Sequence, residues 1–407
     1  MTSADFVVRR AGLLVTMVPS AGDPLGRIRK GSLAARSGRV VWVGPDTDLE
    51  RQVTLEGDSL DAQGACLLPG LVDAHTHPVF AGSRADEFAE RVSGVPYETQ
   101  QAAGRGIMRT VGATRAAGEN ALLGLALRRA DRFLAHGTTT IEAKSGYGLD
   151  LEHEAMSLRV LQRLPALTPL RVVPTFLGAH VVPSDIDRRE YVRVLTEEML
   201  PAFRGLARYC DVWCEKPAFS PEETRTILGR AKALGYGLRV HAAQLAPGEG
   251  PQIAAELGAA SADHLEYASR NQVLGLARTG TTAVLCPAAN FTVPGSRRPP
   301  LDAFREAGLR VAVASDLNPG TSNSESLTNA MSLACVAWGM TPHEVLIGAT
   351  VNAARSLDLE GLAGCLRVGS FADCALYDVE TPEEIPYYVG VNRVLATVAG
   401  GRVWAAA

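Results

Sequence analysis

The feature that most constrains the fold is an alternation of short apolar segments with longer helix-forming segments between residues 63 and 362. Stretches such as ENALLGLALRRADRFLAHG favour helices, and their alternation with apolar strands is typical of a parallel sheet covered by helices. Eight segments have the length and residue types of buried strands. They are CLLPGLVDAH, GTTTIEAKS, LRVVPTFLGAH, CDVWCEKPA, LRVHAAQ, SADHLEY, TAVLCP and RVAVASDLN. Because eight parallel strands close a (β/α)₈ barrel, we expect an α/β protein built on a TIM barrel.

The two ends of the chain have a different pattern, with short strand-like runs separated by glycine turns. DFVVRRAGLLVT and GSLAARSGRVVWVG lie before the barrel, and GCLRVGSFADCALYD and VNRVLATVAGGRVW lie after it. Neither flank is long enough to form a stable sheet alone. We therefore expect residues 1–62 and 363–407 to form one small β-sandwich-like domain together, and residues 63–362 to form the barrel.

The amino-acid composition indicates which class of partner and which cellular compartment to expect. With 46% hydrophobic and 21% charged residues the chain has the balance of a folded domain, and a net charge of −4 gives no reason to expect a nucleic acid or an anionic membrane as partner. We expect a small-molecule partner instead. The seven cysteines are scattered without a CxxC pair, which indicates reduced thiols, and the N-terminus lacks a signal-peptide pattern, so we expect a cytoplasmic protein.

Polar residues at the predicted strand ends suggest a metal site. His75 and His77 follow the first strand two residues apart, which places both imidazoles on one face, and His241, His264 and Asp316 end later strands. The C-terminal ends of barrel strands converge on one mouth. A single strand-end histidine is more often an ordinary polar residue, but imidazoles and a carboxylate in this order are the usual ligands of catalytic zinc or iron. The set therefore predicts a metal site.

Longer strings carry a resemblance to a known family. HPVFAGSRADEF follows the first strand, EAKSGYGLD the second, FLGAH lies on the third, and SDLNPGTSNSES follows the last. The chain resembles the amidohydrolase superfamily in its strand-end residues and, through these strings, the imidazolonepropionases over nearly its whole length. Those enzymes open the ring of 4-imidazolone-5-propanoate to give N-formimidoyl-L-glutamate in histidine degradation. The resemblance implies this activity, one Zn²⁺ or Fe³⁺ per subunit, and a homodimer.

The resemblance also implies roles for individual residues. The implied metal ligands are His75, His77, His241 and Asp316. The implied substrate or product contacts are Arg84, Tyr97, Tyr147, His180, Gln244, Asn318, Gly320 and Thr321. The implied catalytic residues are Asp316, His264 and His180. A guanidinium can form two parallel hydrogen bonds with a carboxylate, which suits Arg84 to the substrate propionate.

A mechanism follows from these roles. A metal ion lowers the pKa of bound water, so that hydroxide can attack the ring carbonyl. We expect Asp316 to take the water proton and pass it to the departing ring nitrogen, while His264 and His180 stabilise the oxyanion. The resemblance implies that family members carry either an amide or a carboxylate at the position of Gln244. Because an amide cannot serve as a base, proton transfer here falls to Asp316 and His264.

Several alternatives stay open at this point. Many amidohydrolases bridge two metals with a modified lysine, and Lys216 lies near that position, although Lys216 and Lys144 can equally be solvated or ion-paired. Another amidohydrolase acting on a hydantoin, dihydroorotate or guanine-type ring would share the metal ligands without needing Arg84. A metal-binding protein without activity would also keep the barrel, since a fold does not establish an activity.

Overall fold

The structure, a computed structural model, describes residues 1–95, 105–293 and 295–405. Its strands come from both ends of the chain and from the barrel region. They are β1 Thr2–Val15, β2 Arg27–Arg36, β3 Arg39–Pro45, β4 Val53–Asp61, β5 Cys66–Pro69, β6 Leu71–Asp73, β7 Thr138–Lys144, β8 Arg171–Ala179, β9 Tyr209–Cys214, β10 Gly237–Ala242, β11 Ser261–His264, β12 Thr282–Leu285, β13 Val311–Val313, β14 Cys374–Tyr377, β15 Val394–Ala399 and β16 Arg402–Ala405.

The helices mostly lie between the barrel strands. The α-helices are Asp46–Gln52, Ala85–Val92, Ile107–Ala117, Glu119–Ala135, Leu151–Arg163, Arg188–Arg193, Leu200–Ala202, Pro221–Ala233, Gly250–Leu257, Arg270–Thr279, Pro287–Thr292, Leu301–Ala307, Leu327–Trp338, Pro342–Ile347, Ala353–Ser356 and Glu384–Tyr387. Leu164–Ala166 is a 3₁₀ turn, and Val194–Met199 and Gly348–Asn352 are π-helical. Within the described residues, no helix is both long enough and apolar enough to span a membrane.

The barrel is a parallel sheet in which β6 to β13 follow one another in chain order. Every residue of β7, β9, β11 and β12 is buried, as expected of strands covered by helices on one side and packed inside the barrel on the other. A parallel bridge between Thr76 and Leu317 links the two outermost strand ends and nearly closes the cylinder. The predicted (β/α)₈ barrel is confirmed.

A second sheet contains the strands from both termini. Its order is β16-β15-β14-β5-β1-β2-β3, with β4 paired to β1. The antiparallel pairing of β14 with β5 joins the C-terminal strands to the N-terminal ones. The prediction that the two flanks build one sheet together is confirmed, whereas the division at residues 62 and 363 stays a prediction.

The first strand candidate, CLLPGLVDAH, is two strands and not one. Its first half, β5, pairs with β1 and β14 in the terminal sheet, and only β6 belongs to the barrel. Gly70 separates them, and a Cβ at this position would lie 2.1 Å from Oγ1 of Thr139 on β7. The chain therefore passes from one sheet to the other where only glycine fits against the barrel.

Candidate metal centre and active site

The near closure of the barrel brings the two ends of the proposed ligand set together. The backbone N–H of Asp316 donates to the carbonyl of His75 at 3.0 Å, and the N–H of His77 donates to the carbonyl of Leu317 at 2.7 Å. These bonds join segments that are more than 200 residues apart in the chain. Asp316 also has a positive φ of 51°, a sparsely populated conformation for a residue other than glycine.

The remaining imidazoles come from the adjacent strands β10 and β11. The ring of His75 lies 4.4 Å from that of His241 and 5.3 Å from that of His264, measured between centroids. His264 also has a positive φ, of 76°, at the end of its strand. Left-handed backbone at both His264 and Asp316 is consistent with side chains held for a function, because such conformations persist only where the surroundings impose them.

The donor atoms of these side chains converge. Nε2 of His77 lies 3.3 Å from Nε2 of His75, and Oδ1 of Asp316 lies 3.4 Å and 3.6 Å from those two nitrogens. His75, His77 and His241 offer three donor atoms that all lie within 4.8 Å of one another. A second group that shares His75 has the same spacing. It contains His75, His264, Cys286 and Asp316.

The ionisation of the site suits a metal ion. Burial, together with the nearby Lys144 ammonium, lowers the pKa of His75 well below its usual value, and burial also lowers the pKa of His77 and His264. Neutral imidazoles keep a lone pair for a metal. Burial raises the pKa of Asp316 to about 7. A donor set that contains neutral imidazoles and the carboxyl group of Asp316 fits catalytic zinc or iron.

Two aspartates that sequence analysis missed contact the outer ring nitrogens of the proposed ligands. Oδ2 of Asp263 lies 2.6 Å from Nδ1 of His75, and Oδ2 of Asp211 lies 2.9 Å from Nδ1 of His241. Such carboxylates fix the tautomer and the orientation of a metal-binding histidine. The available signal was an aspartate inside a predicted barrel strand, in CDVWC and in SADH.

Most of the residues implied by the resemblance surround one cavity at this end of the barrel. Its wall contains His77, Arg84, Tyr147, His180, His241, Gln244, His264, Asp316, Asn318, Gly320 and Thr321, together with Ile107, Trp213, Leu245 and Val293. His75 lies directly beside this wall through its contact with His77. Tyr97 lies outside the described residues. The structure thus brings the predicted residues together, and their individual roles stay predictions.

The loop after β7 presents Tyr147 and orients His180. The buried carboxylate of Glu154 accepts hydrogen bonds from the backbone N–H groups of Gly146, Gly148 and Leu149, which fixes the loop. Nδ1 of His180 lies 3.0 Å from the carbonyl oxygen of Gly146. Because a carbonyl only accepts, Nδ1 carries the proton, and burial lowers the pKa of His180 to about 3. Nε2 of this neutral ring is therefore a hydrogen-bond acceptor.

Arg84 lines the cavity, and a hydrogen bond with Glu87 holds its side chain. Its Nε donates to Oε2 of Glu87 at 2.8 Å, and both side chains are almost completely buried. Gly320 gives the guanidinium room, because a Cβ there would lie 2.6 Å from Nη1 of Arg84. Arg84 was identified from the sequence and Glu87 was not, although the i, i+3 spacing of the two residues was a usable signal.

The loop after Asp316 is organised by Asn318. Oδ1 of this residue accepts from the backbone N–H groups of Gly320 at 2.8 Å and Thr321 at 2.7 Å, while Nδ2 donates to the carbonyl of Asp316. This local bonding by an asparagine side chain shapes a tight turn. Asn318, Gly320 and Thr321 therefore form one edge of the cavity.

Trp213 and Glu215 fix Gln244, and sequence analysis missed both. Nε1 of Trp213 donates to Oε1 of Gln244 at 3.1 Å, which leaves the amide NH₂ as a donor. Oε1 of the buried Glu215 accepts from the backbone N–H of Gln244 at 2.6 Å.

The adjacent Lys216 is exposed, whereas Lys144 is fully buried among carboxylates. Lys216 is therefore not among the groups that converge on the cavity.

Comparison with known proteins assigns the chain to a family. The profile described as "Amidohydrolase family" matches residues 214–404. The chain is 44% identical to the imidazolonepropionase of Symbiobacterium thermophilum, covering 99% of this chain and 98% of that protein. It is 43% identical to the imidazolonepropionase of Geobacillus kaustophilus, with 97% of each chain covered. The chain belongs to the imidazolonepropionase family.

Imidazolonepropionases are members of the metal-dependent amidohydrolases, and the family predicted from the sequence is confirmed. Solved structures share the fold at low identity. An adenosine deaminase from Xanthomonas campestris with bound zinc has a TM-score of 0.76 at 18% identity, over 99% of this chain and 93% of that one. An atrazine chlorohydrolase from Arthrobacter aurescens complexed with zinc has a TM-score of 0.71 at 16% identity, over 98% and 94%. At these identities the likeness concerns the fold alone.

Proposed function

We propose that this imidazolonepropionase family member hydrolyses the ring amide of 4-imidazolone-5-propanoate to N-formimidoyl-L-glutamate, a step of histidine degradation. The observation that carries the proposal is that a buried guanidinium and a cluster of metal-ligand donors line the same cavity. A substrate with a carboxylate at one end and a ring amide at the other matches this arrangement. The near full-length identity to enzymes of that name supports it.

We assign one metal ion per subunit to His75, His77, His241 and Asp316. Bound there, a Zn²⁺ or Fe³⁺ ion would activate water and polarise the ring carbonyl. The ligand types suit both metals, so the assignment covers either. Asp263 is hydrogen-bonded to Nδ1 of His75, and Asp211 lies 2.9 Å from Nδ1 of His241. These contacts leave the other ring nitrogen of each imidazole free to bind the metal.

Asp316 is the proposed proton carrier. Its carboxylate lines the cavity and lies within 3.6 Å of Nε2 of both His75 and His77. In that position it can accept a proton from the attacking water and return it to the departing ring nitrogen. Gln244 cannot share this task, because its amide oxygen accepts from Trp213 and its NH₂ is only a donor.

His264 and His180 are assigned different catalytic roles. The ring of His264 faces the cavity beside His241, where a ring N–H can stabilise the oxyanion of the tetrahedral intermediate. His180 was expected to share that role, but its Nδ1–H is directed to Gly146. We therefore propose that Nε2 of His180 accepts a hydrogen bond from a ring N–H of the substrate and orients the ring.

Arg84 and the loop of Asn318, Gly320 and Thr321 are the proposed propionate site. Contacts with the propionate would orient the ring for attack, although they lie away from the reacting carbonyl. Tyr147 and Gln244 complete the wall around the ring. Tyr97 is a further proposed substrate contact. We also propose that the protein is a homodimer and that it is cytoplasmic. Its seven cysteines are free thiols, six of them buried, which suits a reducing compartment.

A substrate panel tests the proposal. The metal-loaded protein is incubated with 4-imidazolone-5-propanoate, hydantoin, dihydroorotate and guanine, and loss of the ring and formation of formimidoylglutamate are followed. We expect kcat/KM for the imidazolone to exceed that for every other ring. Preference for a ring without a propionate would favour the alternative cyclic-amide hydrolases, and absence of turnover by metal-loaded protein on all of them would contradict a catalytic function.

A further inference from the structure

Below the proposed metal ligands lie five charged residues that we call the floor cluster: Glu142, Lys144, Asp211, Arg239 and Asp263. All five are fully buried, and they come from four barrel strands, β7, β9, β10 and β11. None of the five lines the cavity, so none is placed to contact the substrate. Burying charges is unfavourable unless they are paired, which calls for a reason to keep them inside the barrel.

Lys144 is the centre of the floor cluster. Its Nζ donates to Oδ2 of Asp211 at 2.7 Å and to Oε1 of Glu142 at 2.8 Å, and lies 3.7 Å from Oδ2 of Asp263. Arg239 is farther from the carboxylates, at 3.6 Å from Asp263 and 3.7 Å from Glu142. Its guanidinium also donates to two backbone carbonyls. The lysine is therefore the cation that contacts the carboxylates most closely.

Each of the three carboxylates also contacts a proposed metal ligand or the backbone between two of them. Asp211 contacts Nδ1 of His241 through the same oxygen that accepts from Lys144. Asp263 contacts Nδ1 of His75 at 2.6 Å. Oε2 of Glu142 accepts from the backbone N–H of Thr76, the residue between His75 and His77, at 3.3 Å.

We propose that Lys144 is a positioning residue for the metal site. By holding Asp211, Asp263 and Glu142 in place, it fixes the carboxylates that orient His241 and His75 and anchor the HxH backbone. One ammonium group thus connects the ligands from β6 and β10 below the metal. The inference rests on the proposed ligand set, and it predicts that Lys144 controls metal affinity without contacting metal or substrate.

Lys144→Met tests the inference, because methionine has a similar length without the charge. We expect the metal dissociation constant, measured by chelator competition, to rise about 10- to 100-fold, the usual effect of losing an outer partner of a metal ligand. The visible absorption of the Co²⁺-loaded variant should also change. Lys144→Met/Asp211→Asn removes one charge of each sign and keeps an amide oxygen for His241, so it should bind the metal more tightly than Lys144→Met does.

Arg171→Met is the matched control. It removes a partly buried cation from an ion pair with Asp373 at the start of β8, far from the ligands in the fold, and should leave the dissociation constant unchanged. If Lys144→Met folds and binds the metal as tightly as wild type, with an unchanged Co²⁺ spectrum, the inference is wrong.

Two further measurements keep the test decisive. If Lys144→Met does not fold, Asp211→Ala replaces it, because alanine removes both the partner of Lys144 and the acceptor beside His241, and an unchanged affinity and spectrum in that variant would overturn the inference. Metal binding by wild type and by His75→Ala tests the proposed ligand set separately. If wild type binds no metal, or His75→Ala binds it equally well, the ligand set itself is wrong; if only Lys144→Met is unaffected, the ligand set stands and the inference fails alone.

Discussion

Replacing Arg84 by alanine should reduce kcat/KM for 4-imidazolone-5-propanoate strongly. Truncating one partner of a desolvated charge pair usually costs about 2 to 5 kcal/mol. Glu87 already accepts from Nε of Arg84 and offsets part of its charge, so we expect the lower half of this range. The loss should therefore be about 2 to 3.5 kcal/mol, or roughly 30- to 400-fold in kcat/KM.

The size of the loss alone does not identify the group that Arg84 binds, so the assay compares the substrate with its propionamide analogue. Wild type should prefer the acid strongly, and Arg84→Ala should lose most of that preference. Arg84→Lys should be intermediate, because an ammonium cannot present two parallel donors. Gly320→Ala should reduce the preference for the acid less than Arg84→Ala does. Its Cβ would lie 2.6 Å from Nη1 of Arg84 and would displace the guanidinium without removing it.

Arg132→Ala serves as the control, because Arg132 is an exposed residue that pairs with Glu325 outside the cavity wall. It should behave as wild type. Thermal unfolding shows whether the buried Glu87, left without Arg84, destabilises the fold, and Arg84→Ala/Glu87→Gln removes that charge. If Arg84→Ala still discriminates acid from amide as well as wild type does, Arg84 does not bind the propionate and the reasoning is refuted.

Two further predictions concern the proton carrier and the loop after β7. Asp316→Asn should keep much of the metal and lose at least about a hundredfold in kcat, because an amide cannot accept a proton; unchanged kcat at equal metal content would exclude Asp316 as the carrier. Gly146→Ala should lower kcat/KM by displacing His180, since φ is 108° and the new Cβ would lie 3.1 Å from Nδ1 of His180. The strained backbone should also lower the free energy of unfolding by about 1 to 3 kcal/mol, measured by denaturant titration. A fully active Gly146→Ala variant would show that the orientation of His180 is unimportant.

The barrel and the shared terminal sheet could be predicted because their signals are local. Apolar strand segments and glycine turns are properties of a few consecutive residues. The break between β5 and β6 was not predicted, because Gly70 is required by Thr139, a residue of the next barrel strand. A single apolar run does not show which of two sheets each half joins.

The convergence of the strand-end residues was also predictable, because every (β/α)₈ barrel brings the C-terminal ends of its strands together at one mouth. The floor cluster was not. Lys144 was interpreted as solvated or ion-paired, and its closest partner, Asp211, lies 67 residues away and meets it only through the register of β7, β8 and β9. The hydrogen bond of Gln244 with Trp213 likewise depends on the pairing of β9 with β10.

The central claim is metal-dependent hydrolysis at one ion per subunit, and the most direct measurement is turnover of 4-imidazolone-5-propanoate as a function of metal content. The metal is removed with a chelator, the fold is checked by circular dichroism, and Zn²⁺ or Fe³⁺ is added back in steps. We expect metal-free protein to stay folded and inactive, and activity to rise linearly until one ion is bound per chain. Full activity in verified metal-free protein would contradict the account, and a rise that continues to two ions per chain would contradict the single-metal assignment.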